Sequence, residues 1–254
     1  MKLALLQSAI YWENTKANLE QFSNTIDSIG QAVDLIILPE MFSTGFTMTP
    51  HKVAQRMNGE TVSWMKKEAF DRQLAICGSV VISENGNYFN RLLFVSPDGQ
   101  IKHYDKRHLF TLAGEEKNYT RGEQRLVIEY KGFKLCPLVC YDLRFPVFSR
   151  NTEDYDVLIY VANWPEPRIT AWDALLKARA IENMSYVIGV NRIGQDDNSN
   201  HYNGHSQVLD CFGNYLIAPR ESAGVFIIEL DKNQLLTARR QFGFLNDRDD
   251  FRVI

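Results

Sequence analysis

The chain has 254 residues, 45% of them apolar and 23% charged, with a formal net charge of −3. That length and apolar share suit one globular domain. The mildly negative balance provides no basic stripe, which argues against nucleic acid as a main partner, and no apolar stretch approaches the ~20 residues that cross a bilayer.

The opening stretch, MKLALLQSAIYWEN, carries one lysine and a short apolar run but no cleavage pattern before Trp12 and Glu13. It reads as a first strand rather than a leader, and four cysteines in this length do not suggest a disulfide scaffold, so a cytoplasmic protein is expected. Asn118-Tyr119-Thr120 matches a glycosylation sequon, which carries no weight without a secretion signal. Leu3–Leu6 and Leu35–Leu38 are almost wholly apolar, the pattern of strands buried on both faces. Between them Leu19, Phe22, Ile26 and Ile29 recur every three or four residues and predict a helix with one buried stripe. A second helix is expected from Thr61 to Leu74, followed by strands at Ala75–Ile82 and Tyr88–Val95 around a turn at Asn85-Gly86-Asn87. Pro97-Asp98-Gly99 turns the chain back into Ile101–Tyr104.

Further strands are expected at Leu126–Glu129, Lys134–Val139 and Val157–Ala162. The span 168–185 lacks Gly and Pro and predicts the longest helix. Tyr186–Val190, Ser206–Leu209 and Val225–Leu230 read as closing strands. The remainder, 231–254, is polar with scattered aromatics (Phe242, Phe244, Phe251) and reads as a C-terminal tail, frayed or docked on a partner subunit. No linker, low-complexity segment or internal repeat divides residues 1–254, and the alternation predicts a layered α/β domain with a mixed sheet.

The stretch CPLVCYDLRFP, 136–146, raises the question of what Cys140 does. On a strand, Cys136 and Cys140 lie about 13 Å apart at 3.3 Å per residue, whereas a disulfide needs Cα atoms within roughly 7 Å. The same separation stops them sharing a zinc ion. Core packing suits Cys77 and Cys136, which sit inside apolar runs, and Cys211 adjoins a turn before Phe212-Gly213-Asn214. Cys140 differs, because the apolar run ends there and Asp142 and Arg144 follow. The carboxyl end of a strand is where α/β folds place ligands, so position alone admits a nucleophile beside core packing.

A cysteine nucleophile needs a proton acceptor and an oxyanion stabiliser. None of the five histidines falls in a papain-like or caspase-like signature. Glu40 follows the apolar strand in LIILPEMFSTGF, and Lys106 follows Ile101–Tyr104 in HYDKRHLF. Acid, base and thiol thus occupy three strand ends.

At these residues the chain resembles the nitrilase superfamily of carbon–nitrogen hydrolases. LPEMFSTGF, YDKRHLF and LVCYDLRFP carry the resemblance, and YVANWP, KARAIEN, GVNRIG and HSQVLDCFGN support it in the family's order along nearly the whole chain. The resemblance implies a four-layer α-β-β-α sandwich with mixed sheets. It assigns Glu40 as general base, Lys106 as catalytic lysine and Cys140 as nucleophile. It also calls for a second glutamate between lysine and cysteine, where TLAGEEKNY offers Glu115 and Glu116; Glu115 is preferred from its distance to Phe110. No metal or other cofactor is required.

CYDLRFP with VANWP and KARAIEN is most similar to the ω-amidase branch, which implies hydrolysis of the terminal amide of small dicarboxylic monoamides such as 2-oxoglutaramate and 2-oxosuccinamate. Such a substrate needs a cation for its free carboxylate. Arg144 is the first candidate and Arg168 the second; a salt bridge of Arg144 with Asp142 is the competing reading. Tyr141 would offer a backbone N–H to the oxyanion, and Trp164 either walls the pocket or packs in the core. Phe42 and Phe46 are expected to narrow the entrance. Asp173, Arg179 and Glu182 are assigned to helix stability or a subunit contact, and Asn183 to backbone bonding. The partners implied are a small-molecule amide and a second copy in a homodimer, with no membrane or nucleic acid.

An aliphatic amidase, a carbamoyl-amine hydrolase or a nitrilase would use the same residues. A non-catalytic binding module would be marked by loss of Glu40, Lys106 or Cys140, and all three are present. GHSQV fails as a serine-hydrolase elbow because no glycine follows at the last position.

Overall fold

Wholly apolar runs become the central strands, because only residues without polar side chains tolerate burial on both sheet faces. The computed structural model describes residues 1–251. Its first half comprises β1 (Lys2–Gln7), α1 (Thr15–Asp27), β2 (Leu35–Ile37), α2 (Pro50–Val53), α3 (Glu60–Arg72), β3 (Ala75–Glu84), β4 (Asn87–Val95) and β5 (Ile101–Asp105). There follow β6 (Ile128–Tyr130), β7 (Phe133–Val139), α4 (Pro146–Ser149), β8 (Val157–Ala162), α5 (Ile169–Asn183) and β9 (Tyr186–Asn191). A small ribbon pairs β10 (Ile193–Gln195) with β11 (His201–Asn203), and β12 (Gln207–Leu209), β13 (Tyr215–Ile217), β14 (Gly224–Glu229) and α6 (Lys232–Phe242) complete the chain.

Two six-stranded sheets result, in the orders β14-β1-β2-β3-β4-β5 and β13-β12-β9-β8-β7-β6. In each, three parallel strands (β1, β2, β3; β7, β8, β9) are flanked by antiparallel neighbours. The two-residue period of a strand then divides the side chains between layers. Leu3, Leu5, Leu35 and Ile37 join a core shared with Leu135, Val157 and Ile159 of the second sheet. Their alternates Ala4, Leu6, Ile36 and Leu38 pack under Leu19, Phe22 and Ile26 of α1 and Val62, Met65 and Ala69 of α3. On the opposite outer face α5 lays Trp172, Leu176 and Ala180 into the core. Gly189 of β9 permits that approach, since a Cβ there would meet Leu176 Cδ1 at 2.5 Å and Trp172 Cζ2 at 2.7 Å. The architecture is the α-β-β-α sandwich with mixed sheets.

Pro137 sits within β7 yet breaks no ladder. β6 pairs only with Phe133–Leu135, so Pro137 has a partner on the β8 side alone.

The segment 231–251 departs from the reading of a tail. Asp231 caps α6 by accepting from Asn233 and Gln234 N–H, and Gly243 ends it in the left-handed region. The helix packs on its own chain: Leu235 and Ala238 are buried, and Arg239 donates to the carbonyls of Met184 and Tyr155. The last three residues of the predicted tail lie outside the described residues.

Candidate active site

Glu40 and Cys140 stand just past the buried strands β2 and β7, Lys106 just past the partly exposed β5, and the strand ends of both sheets bring them together. β2 delivers Glu40 through Pro39, β5 delivers Lys106, and β7 delivers Cys140 at the start of a 3-10 turn, Cys140–Arg144. The Lys106 ammonium lies 2.9 Å from Glu40 Oε1 and 2.9 and 3.1 Å from the two oxygens of Glu115. All three are buried. Glu116, next in sequence, is exposed.

Two carboxylates and one ammonium in the interior need further donors, because a buried charge without partners is costly. Asn90 of β4 donates through Nδ2 to Glu40 Oε1 at 2.8 Å and to Glu115 Oε1 at 3.3 Å. Asn163, just past β8, donates its backbone N–H to Glu40 Oε2 at 2.9 Å and its amide to the Glu40 carbonyl at 2.6 Å. Phe110 N–H reaches Glu115 Oε2 at 2.6 Å. The Phe46 ring lies 5.1 Å from the Lys106 ammonium.

These surroundings set protonation. Burial alone would pull the Lys106 ammonium down, but Glu115 and then Glu40 more than offset it and hold its pKa above the ordinary value. Burial raises Glu115, with the Glu40 charge adding to it and Lys106 opposing. The Cys140 thiol is held well above its usual range, by burial first and next by the negative charge of Glu40; Lys106 opposes. The resting group is therefore a neutral thiol beside a proton acceptor. Its sulfur lies 3.9 Å from the Asn163 carbonyl oxygen.

Cys140 has φ of +44°, in the left-handed region that non-glycine residues seldom adopt, and Met41 beside Glu40 has φ of +45°. Such strain persists only where the surroundings over-determine it, and it gathers at functional sites.

A cavity of about 610 Å³ opens onto Cys140 and Lys106. Tyr141, Arg144, Trp164 and Arg168 line it, with Phe46 and Phe110. Arg144 forms no ion pair with Asp142, which is engaged by Tyr104, Val139 and His108; its guanidinium instead lies 4.9 Å over the Trp164 ring. Arg168 lies similarly over Phe110 at 5.3 Å. Lys52 adds a further cation, and Glu13 and Asp196 are the acids of the wall. Asp196 is occupied by Tyr202 and by Asn198 and Asn200 of its own loop, and one oxygen of Glu13 by the hydroxyls of Thr47 and Thr49.

Phe42 is a correction. Its ring does not reach the cavity but packs in the core, 5.6 Å from Phe22 and 5.7 Å from Trp64, while Phe46 supplies the wall. After the buried Glu40 the chain makes a tight turn, which points the two phenylalanines to different sides. Arg179 turns inward to donate to the Leu143 carbonyl at 2.6 Å, bracing the cysteine turn, and also pairs with Glu182. Asn183 accepts from the Asn151 N–H.

Asn90 and Asn163 were not singled out from sequence. An asparagine beside Arg91 in the otherwise apolar FNRLLFV, and another just past the apolar YVA, were the signals available.

This geometry can deliver a thiol to an electrophilic carbon, accept its proton and hold an oxyanion. The carbon-nitrogen hydrolase family model matches residues 2–240. An omega-amidase of Yersinia enterocolitica, YafV, is 44% identical over the whole chain and 99% of its own length. A 2-oxoglutaramate amidase of Bacillus subtilis is 31% identical over 96% of both chains. The crystal structure of XC1258 from Xanthomonas campestris, described as a CN-hydrolase superfamily protein with an arsenic adduct in the active site, superposes with a TM-score of 0.97 at 40% identity, covering 100% of this chain and 99% of that one. With the strand-end site in place and a match of this extent, the chain belongs to the carbon-nitrogen hydrolase family.

Proposed function

We propose that this hydrolase cleaves the terminal amide of small dicarboxylic monoamides, 2-oxoglutaramate and 2-oxosuccinamate foremost, releasing ammonia and the dicarboxylate. The observation that carries the reading is a buried Glu40–Lys106–Glu115 cluster against Cys140, in a cavity whose arginines stack on aromatic rings and pair with no carboxylate among the described residues. Relatives bearing ω-amidase and 2-oxoglutaramate amidase names, similar over nearly their full lengths, support the substrate class.

In this mechanism Glu40 takes the Cys140 proton as sulfur attacks the amide carbon. The oxyanion forms beside the Lys106 ammonium and the Tyr141 N–H; one such donor is worth ~10²–10³ in rate. Glu40 returns the proton to the departing ammonia, the C–N bond breaks and a thioester remains. Glu40 then deprotonates water, which attacks the thioester carbonyl; collapse frees the carboxylate and restores the thiol. Glu115 orients Lys106 through both oxygens. Arg144, with Arg168 behind it, takes the substrate carboxylate against the Trp164 wall.

Ammonia release from 2-oxoglutaramate, with Cys140→Ala alongside and glutamine, asparagine and an aliphatic nitrile as comparison substrates, tests this. Fast release lost in the variant and weak turnover of the others is expected. Silence on 2-oxoglutaramate with turnover of another substrate would discard the substrate assignment and keep the nucleophile.

A homodimer belongs to the same proposal. Phe212, Phe242 and Phe244 form an exposed aromatic run with ring centroids 5.4–5.5 Å apart, and such contiguous apolar surface marks an association site. Light scattering at micromolar protein should give twice the chain mass; only monomer would refute the dimer. A cytoplasmic location is proposed from the four free cysteines and is checked by cell fractionation.

A further inference from the structure

The mechanism above gives no task to the buried polar cluster around Asp142. Asp142 lies two residues past Cys140 and is fully buried, and its carboxylate accepts from both arms of the site. Oδ2 takes the Tyr104 hydroxyl at 2.8 Å and the Val139 N–H at 3.0 Å. Oδ1 takes the His108 N–H at 3.1 Å and lies 2.7 Å from His108 Nδ1. Tyr104 in turn accepts the Arg107 N–H at 3.0 Å.

The connectivity gives this cluster a purpose. Val139 and Asp142 flank Cys140, so the bond between them closes a ring around the residue held at φ +44°. Tyr104 and His108 flank Lys106. One carboxylate therefore clips the lysine's segment to the cysteine's turn. The imidazole is fixed as well: it stacks on Phe145 at 3.8 Å with planes 5° apart and meets the edge of Phe148 at 5.3 Å. A carboxylate only accepts, so Nδ1 carries a proton and donates.

We propose that His108 is a positioning residue: by donating Nδ1–H to Asp142 it sets the Cys140 turn against Lys106, and neither side chain touches substrate. This rests on Lys106 and Cys140 being the reacting pair. Small displacements of such a pair are expensive, since a misplacement of about 1 Å can cost ~10²-fold in rate. Arg144 ends the same turn but is held separately over the Trp164 ring, so KM should change less than kcat.

The test compares His108→Asn with His108→Gln. The shorter amide places an N–H where Nδ1 was, and the longer one places it where Nε2 was, beyond Asp142. Expected for His108→Gln is a fall in kcat of about 10–100-fold with KM within threefold, against near wild-type kcat for His108→Asn. Melting temperature and circular dichroism report the folded fraction of each. Iodoacetamide inactivation of Cys140 is read in parallel and needs no amide substrate. Its pH profile should move in His108→Gln and stay in His108→Asn, whether or not 2-oxoglutaramate proves to be the substrate. Equal losses in the two variants, or losses that track the folded fraction, would overturn the proposal, as would full kcat in His108→Gln.

Discussion

Cys136 and Cys140 are four residues apart on one strand and its end, yet they are different chemical objects. Cys136 is fully buried in the inter-sheet core, and burial pushes its thiol up to about 12. Cys140 lies beyond the last ladder residue, on left-handed backbone at a cavity wall, and its thiol faces Glu40 and Lys106. Both thiols are protonated at rest. What separates them is that one has a carboxylate to receive the proton and an ammonium to receive the negative charge that follows. In the proposed mechanism, reactivity comes from the neighbours that the strand ends bring, since the thiol is held above its usual range.

The sharpest way to break that contrast is to remove each sulfur. Cys140→Ala should abolish turnover, a loss of roughly 10⁴-fold or more as for other covalent nucleophiles; residual activity near wild type would place the nucleophile elsewhere. Next, Glu40→Gln should lower kcat by about 10²–10⁴-fold as a general base is lost. The same change predicts a pH effect with a definite sign. The Glu40 charge raises the Cys140 thiol and Lys106 lowers it. Replacing the carboxylate by an amide removes a raising influence and keeps the lowering one, so the iodoacetamide inactivation profile should shift to lower pH. An unchanged or upward shift would mean that Glu40 does not face the thiol.

Smaller still, Arg144→Ala should raise KM for a carboxylate-bearing amide roughly tenfold, with kcat little changed, as expected for a charge-assisted hydrogen bond of about 1.5 kcal/mol. An unchanged KM would return Arg144 to a purely structural stack on Trp164. Cys136→Ala marks the other end of the scale: about 1–2 kcal/mol of stability in denaturant melts from lost core contacts, with kcat preserved.

The legible parts of the fold were those where burial writes itself as composition. Val157–Ala162 was read residue for residue because a strand covered on both faces must be apolar throughout, and the long helix was read to within two residues at either end. Helix α6 was missed because only Leu235 and Ala238 of its residues are buried, so its apolar stripe is too thin to stand out; Asp231 and Gly243 were its signals. The hairpin β10–β11 and strand β13 are short and largely exposed, which removes the alternation that identifies a strand.

In the site, Glu40 and Cys140 stood out because each ends an apolar run, and Lys106 because it follows a strand in the stretch YDKRHLF. Phe42 misled because an aromatic near a functional residue looks the same in sequence whether it turns to the cavity or the core. Asn90, Asn163 and His108 were passed over for a different reason: their importance lies in which carboxylate they meet across the sheets, and such long-range pairing leaves no local pattern.

The left-handed backbone at Cys140 also restricts what evolution or an engineer can install there. Among side chains able to attack a carbonyl, cysteine and serine carry a single γ atom, whereas threonine branches at Cβ. Branched side chains are the least tolerant of positive φ. Serine can inherit the turn unchanged, whereas threonine would strain the left-handed backbone that the bond between Val139 and Asp142 closes around. The backbone thus narrows which side chains this position can hold before any question of their chemistry arises.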